Sequence, residues 1–125
     1  MIQIERLGDF TDKDLSDLSG LGAALNGSDP VHINPDNLRI ICDNPDFYVQ
    51  IIARNDDQSI VGSATLSLVM GGISAGKVAY LEDLAVSTRI QGQGIGGKIW
   101  NEIMNWCEQK NVSSREFTSK PSRVD

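Results

Sequence analysis

The stretch LEDLAVSTRIQGQGIGGKIW, Leu81 to Trp100, joins a strand-like apolar run to four glycines, Gly92, Gly94, Gly96 and Gly97. Backbone N–H groups at a helix start lack intrahelical acceptors, and the helix dipole adds positive character there. Glycines let anionic oxygens approach such a backbone with no Cβ in the way. The stretch therefore reads as a phosphate cradle, and its surroundings must decide which fold builds it. Gly92, Gly94 and Gly97 satisfy the G-x-G-x-x-G of dinucleotide-binding folds. That pattern normally opens the first strand–helix unit, yet only 28 residues follow Gly97, too few to complete such a sheet. Gly92, Gly97 and Lys98 fit most of a triphosphate loop, but the next residue should offer a hydroxyl to magnesium and is Ile99.

Working outward, the apolar spacing continues as a helix from about Gly94 to Lys110. Ile95, Ile99, Ile103 and Trp106 or Cys107 form its buried stripe, with Trp100 and Met104 on an adjoining line. Upstream, FYVQIIAR, IVGSATLSLVM and KVAYLEDLAV are β-branched and aromatic runs divided by the turns NDDQS and GGISAG, which predicts a three-stranded meander. Near the start, MIQIERL alternates as a short strand. TDKDLSDLSGLGAAL then places Leu15, Leu18, Leu21 and Leu25 at helical spacing behind a capping box of Thr11 and Asp14. NPDNLRIICDNP reads as a second, short helix, with Pro35 early and Pro45 beyond its end. At the far end, REFTSK reads as a strand and PSRVD as the first turn of a helix. The predicted order is β-α-α-β-β-β-α-β, a mixed sheet with helices on it.

A length of 125 residues with 40% apolar content suits one domain over 1–125. The absence of a leader or a spanning apolar run gives the expectation of a cytoplasmic chain without membrane partners. Cys42 and Cys107 read as reduced thiols used as small hydrophobes. One histidine, His32, and no clustered thiols give the expectation of no metal site. A net charge of −6 argues against nucleic acid as a partner. Residues 1–88 hold five basic and thirteen acidic side chains, and residues 89–125 hold six and four. An acidic half suits a cationic amine, for which Asp12, Asp14 and Asp17 are candidates, and a mildly basic end tolerates an anionic cofactor. Surface acid also simply keeps a small domain soluble.

Taken whole, Gln91-Gly92-Gln93-Gly94-Ile95-Gly96 fits the Gln/Arg-x-x-Gly-x-Gly/Ala signature, placed after an LEDLAV strand and at the start of a long amphipathic helix. In this the chain resembles the GNAT superfamily of acetyl-coenzyme A-dependent N-acetyltransferases. NLRIICDNPDFYVQIIARNDDQSIVGSATL looks like that family's second helix and β2–β3 hairpin, and EFTSKPSR is similar to its fifth strand and following turn. The resemblance implies an α/β (α+β) fold, GNAT-like, with a mixed, mostly antiparallel sheet. It implies acetyl-coenzyme A as co-substrate, its pyrophosphate on Gln91, Gly92, Gln93, Gly94, Ile95, Gly96 and Gly97 and its pantetheine arm along Leu84, Ala85 and Val86. Lys98, Arg89 and Arg123 are candidates for the outer phosphate, and an N–H near Leu84 for the thioester carbonyl.

The reaction implied is acetyl transfer to a primary amine of a small molecule or a lysine by direct attack, which needs a base for the amine proton. Glu82 and Asp83 are the candidates. Adjacent strand residues face opposite ways, so one of them is expected to face the acceptor cleft, and Glu82 is favoured unless a bulge changes the facing. Relatives continue past PSR into a helix with a tyrosine that protonates the thiolate, and into two more strands. Here Tyr48 and Tyr80 belong to other strands. That departure keeps a second reading open, a catalytically impaired coenzyme A-binding or interaction module. It also raises the expectation of a homodimer through the fifth strand's edge.

Overall fold

The computed structural model describes residues 1–26, 32–70, 76–87, 93–112 and 114–117, with backbone alone for 23–26 and 114–117. Its elements are β1 (Gln3–Arg6), α1 (Asp12–Asn26), α2 (Pro35–Asp43), β2 (Tyr48–Arg54), β3 (Ile60–Met70), β4 (Lys77–Val86), α3 (Ile95–Gln109) and β5 (Ser114–Phe117), the order predicted. The strands stand in sequence order across one five-stranded sheet. β1 to β4 pair antiparallel and β5 runs parallel to β4, so the sheet is mixed. The β2–β3 turn follows from Asn55, whose Oδ1 accepts from the N–H groups of Asp57 and Ser59, each at 3.0 Å. β5 begins earlier than REFTSK suggests, at Ser114, and residues 118–120 of that segment, like PSRVD, lie outside the described residues.

Period-two alternation sorts β2 and β3 between two cores. Ile51, Ala53, Ala64 and Leu66 face α3, whose stripe of Ile95, Ile99, Ile103, Trp106 and Cys107 is at most 2% exposed. Both Trp106 and Cys107 are therefore buried, where the spacing left a choice between them, while Trp100 is 37% exposed. On the other face Leu18 and Leu21 of α1 and Leu38 of α2 pack with Leu7, Ile52, Ile60 and Ala85. Neither Cys42 nor Cys107 is in a disulfide, and burial pushes the Cys42 thiol up from its ordinary pKa.

The close seat of α3 depends on one residue of β3. A Cβ built on Gly62 would stand 2.8 Å from Ile99 Cδ1 and 3.2 Å from Ile95 Cγ2. Ile99 has no exposed surface into which to retreat, and Ile95 branches at Cβ and turns poorly. Gly62→Ala is therefore an overpacking change and should destabilise by roughly 1–3 kcal/mol, read as a lowered urea midpoint at unchanged m-value. An unshifted midpoint would show that α3 rides on the sheet loosely enough to move away.

The capping box forms as the sequence predicts: Asp14 N–H donates to Thr11 Oγ1 and Thr11 N–H to Asp14 Oδ2, each at 3.1 Å. α2 starts on Asn34, whose Oδ1 accepts from the Asp36 N–H at 2.9 Å, with Pro35 as its first residue. The expectation that Asp14 and Asp17 attract a cationic amine is overturned by what they touch. Asp14 is 4% exposed and receives both terminal nitrogens of Arg54, at 2.8 and 3.2 Å. Asp17 accepts from the Ile60 N–H at 3.0 Å and from Lys13 Nζ at 2.7 Å, pinning α1 to the start of β3. Their charge is spent inside the fold.

Candidate active site

The site is set by an irregularity in β4. Ser63 opposes Ala85 but Thr65 opposes Glu82, so Asp83 and Leu84 together stand against Ala64. The extra residue is a β-bulge, and Asp83 adopts φ 57°, a left-handed conformation that aspartate tolerates better than most residues. The bulge shifts the alternation by one. Leu81 packs on the α3 side, and after the bulge Leu84 and Val86 return to that side while Ala85 joins the α1–α2 core. Without it Glu82 and Leu84 would share a face.

Beneath α1 and α2 the sheet is hollowed into a cavity of about 420 Å³. Its apolar wall comes from Leu18 and Leu21 of α1 and Leu38 and Ile41 of α2. Gln50, Ser63 and Thr65 lie across its sheet side, and His32, Asn34 and Asn37 line it from the segment entering α2. Glu82 and Asp83 both line it, where alternation without a bulge would have put the two on opposite faces. The physical reason is the bulge: Glu82 keeps its strand facing, and the left-handed turn at Asp83 brings the next carboxyl group to the same cavity.

The glycine stretch meets this strand end. Gly94 is the N-cap of α3 at φ 74° and ψ 16°, with no side-chain cap, and Lys98 N–H makes the first intrahelical bond, to the Gly94 carbonyl at 3.1 Å. The N–H groups of Ile95, Gly96 and Gly97 thus precede the helical ladder. A Cβ on Gly97 would meet open space, and one on Gly96 would touch Val86 Cγ2 at 4.0 Å. Val86 at the end of β4 packs against the core cluster that holds Ile95 at the helix start. Gln93, Gly94, Gly97 and Lys98 are exposed, whereas the Ile95 side chain is core. Gln91, Gly92, Arg89 and Arg123 lie outside the described residues, as does the β3–β4 loop over 71–75. The described pairing of β4 with β5 runs from Val78↔Ser114 to Leu81↔Phe117, just short of the bulge.

Gln50, Ser63, Thr65, Asn34 and Asn37 are not among the candidate site residues of the sequence, where His32 stands only as the one histidine weighed for a metal. The available signal was Gln50, an amide amid the apolar FYVQIIAR, since a polar side chain on the inner face of a strand needs a partner there. Among the described residues no helix is long and apolar enough to cross a membrane.

Residues 20–123 match the model of the acetyltransferase (GNAT) family. A 65-residue segment is 41% identical to human spermidine/spermine N(1)-acetyltransferase-like protein 1, over 49% of this chain and 9% of that protein's length. Among solved structures, a transcriptional regulator from Bacillus halodurans C-125 superposes with a TM-score of 0.80 at 19% identity, over 100% of this chain and 86% of that one. An aminoglycoside acetyltransferase from an uncultured soil metagenomic sample superposes at 0.75 with 25% identity, over 96% and 78%. Glucosamine-6-phosphate N-acetyltransferase from Arabidopsis thaliana superposes at 0.72 with 16% identity, over 97% and 84%. With the family match spanning most of the chain and the mixed sheet, bulged β4 and glycine-started α3 all in place, this chain belongs to the GNAT acetyltransferase family.

Proposed function

We propose that the chain is an N-acetyltransferase that moves an acetyl group from acetyl-coenzyme A to a primary amine, of a small molecule or a lysine side chain. The observation that carries this reading is the β4 bulge, which sets two carboxyl groups in one cavity beside the strand end that meets the glycine-started helix. The residues fit the co-substrate: α3 offers uncapped N–H groups for a pyrophosphate, and Gly97 leaves open space before them. Leu84, Ala85 and Val86 hold the pantetheine arm by backbone hydrogen bonds, as an added strand would, and Lys98 meets the outer phosphate. Acetyl-coenzyme A supplies the activated acetyl thioester. The Leu84 N–H donates to the thioester oxygen, where charge develops. A neutral amine would attack the thioester carbonyl, the new C–N bond replacing the C–S bond. Its proton would pass to Glu82 or Asp83, directly or through a water molecule, and coenzyme A would leave as the thiolate, which takes a proton from solvent.

Calorimetry with acetyl-coenzyme A, followed by thiol release over a panel of diamines, amino alcohols and lysine peptides, tests the reading. Saturable binding is expected, with release at least about 10²-fold above the rate without protein for one class of amine. Binding without release for any amine would leave no transferase to explain. Failure to bind would remove the coenzyme A site as well.

A further inference from the structure

The sheet side of the cavity carries a directed hydrogen-bond chain. Thr65 Oγ1 donates to Gln50 Oε1 at 2.8 Å, and Gln50 Nε2 donates to Ser63 Oγ at 2.6 Å. Gln50 and Ser63 are buried, 7% and 4% exposed, so polar capacity they do not use within the protein finds little water. The register explains the arrangement. Gln50 stands opposite Thr65 on one side and Glu82 opposite Thr65 on the other, so the three form a polar row across β2, β3 and β4. Ser63 lies two residues along β3, on the same face, roughly 7 Å away along the strand.

A hydroxyl has one proton and two lone pairs, and a primary amide has two protons and two lone pairs. Thr65 gives its only proton to Gln50 and can then only accept. Its oxygen therefore joins the carboxyl groups of Glu82 and Asp83 in facing the cavity as acceptors, a place for an amine's N–H groups. Ser63 accepts from Gln50 and keeps its own proton, and Gln50 keeps a second amide proton. That end faces the cavity as donors, a place for an oxygen. The two ends ask for different chemistry at a fixed separation.

The geometry points to an acceptor that is an amino alcohol or a hydroxylated amine, its hydroxyl held by Ser63 and Gln50 while its amine meets Thr65, Glu82 and Asp83. An alkyl amine or an unsubstituted polyamine fits the acceptor end but leaves the buried donors of Ser63 and Gln50 without a partner. A buried donor left unmade costs enough to separate two such ligands by about tenfold in affinity. The inference rests on the acetyl-transfer reading for its biological sense, but the hydroxyl preference is a property of binding.

The test is calorimetric titration of the full chain with trans-4-aminocyclohexanol and with cyclohexylamine, which differ by one hydroxyl across the ring from the amine. The aminocyclohexanol should bind about tenfold more tightly. Ser63→Ala should bring the two ligands to within about twofold, chiefly by weakening the aminocyclohexanol. Equal affinities in the unmodified chain, a preference for cyclohexylamine, or no binding of either ligand would overturn the inference. So would a preference that survives Ser63→Ala with the circular dichroism of the unmodified chain. The ligand pair on the unmodified chain decides even if the variant does not fold. The two readings fail separately. A hydroxyl preference without thiol release removes acetyl transfer alone, whereas acetyl transfer to both ligands with equal calorimetric affinities removes the hydroxyl preference alone.

Discussion

Asp14→Ala should cost about 3 kcal/mol of folding free energy in urea denaturation at neutral pH. The carboxylate serves two structures at once. It closes the first turn of α1 with Thr11, and it takes both terminal nitrogens of Arg54 on β2. Removal leaves a mostly buried guanidinium held by Glu5 and by the Gln58 carbonyl at 3.0 Å, without its doubly bonded partner. Breaking one side of a buried pair is the costly route, because the charge that remains has already left water. Replacing both members with apolar residues, as in Asp14→Leu with Arg54→Met, should recover a large part of the loss.

The same carboxylate gives the stability a pH signature. The Arg54 guanidinium holds the Asp14 carboxyl below the usual carboxylate range, and the Thr11 N–H adds to this against an opposing effect of burial. A group whose folded pKa is depressed contributes stability above its unfolded value, about 3.9, and loses it as pH falls through the folded value. The gap between the unmodified chain and Asp14→Ala should therefore hold from pH 7 to about pH 5 and narrow below about pH 4. A gap that does not change with pH would mean that packing around residue 14, and not its ionised carboxylate, carries the loss.

The fold was legible because each element is locally consistent with its place. The capping box, Asn34 before Pro35, and the 3.6-residue stripe of α3 each act within one turn of chain. What could not be read depends on register between distant strands. Gln50, Ser63 and Thr65 meet only because β2 and β3 pair Gln50 with Thr65, and no pattern of spacing within either strand states that pairing. Asp14 is the instructive case. Its capping role is written three residues away, at Thr11, while its ion pair lies forty residues on, at Arg54. From the sequence it counted as surface charge, and the fold spends that charge inside.

Glu82→Gln should lower kcat/KM for thiol release by about 10²- to 10⁴-fold, with urea stability unchanged, while Asp83→Asn should lose less than tenfold. Both carboxyl groups line the cavity, so the facing of alternate strand residues no longer separates them. Backbone conformation does. Glu82 sits in register opposite Thr65 at the edge of the polar row, whereas Asp83 is the residue that adopts φ 57°. On this view Asp83 is a positioning residue: its tolerance of the left-handed region makes the bulge, and the bulge aims Glu82 and Leu84 to opposite faces. Backbone variants then separate chemistry from geometry. Asp83→Gly removes the carboxyl group but suits the positive φ, and should keep most of the stability and of the rate. Asp83→Val keeps a bulky side chain where β-branching is least tolerated, and should lose both. An Asp83→Gly chain that is stable and inactive, beside an active Glu82→Gln, would move the proton-accepting role to Asp83. The bulge would then supply the base itself as well as its aim.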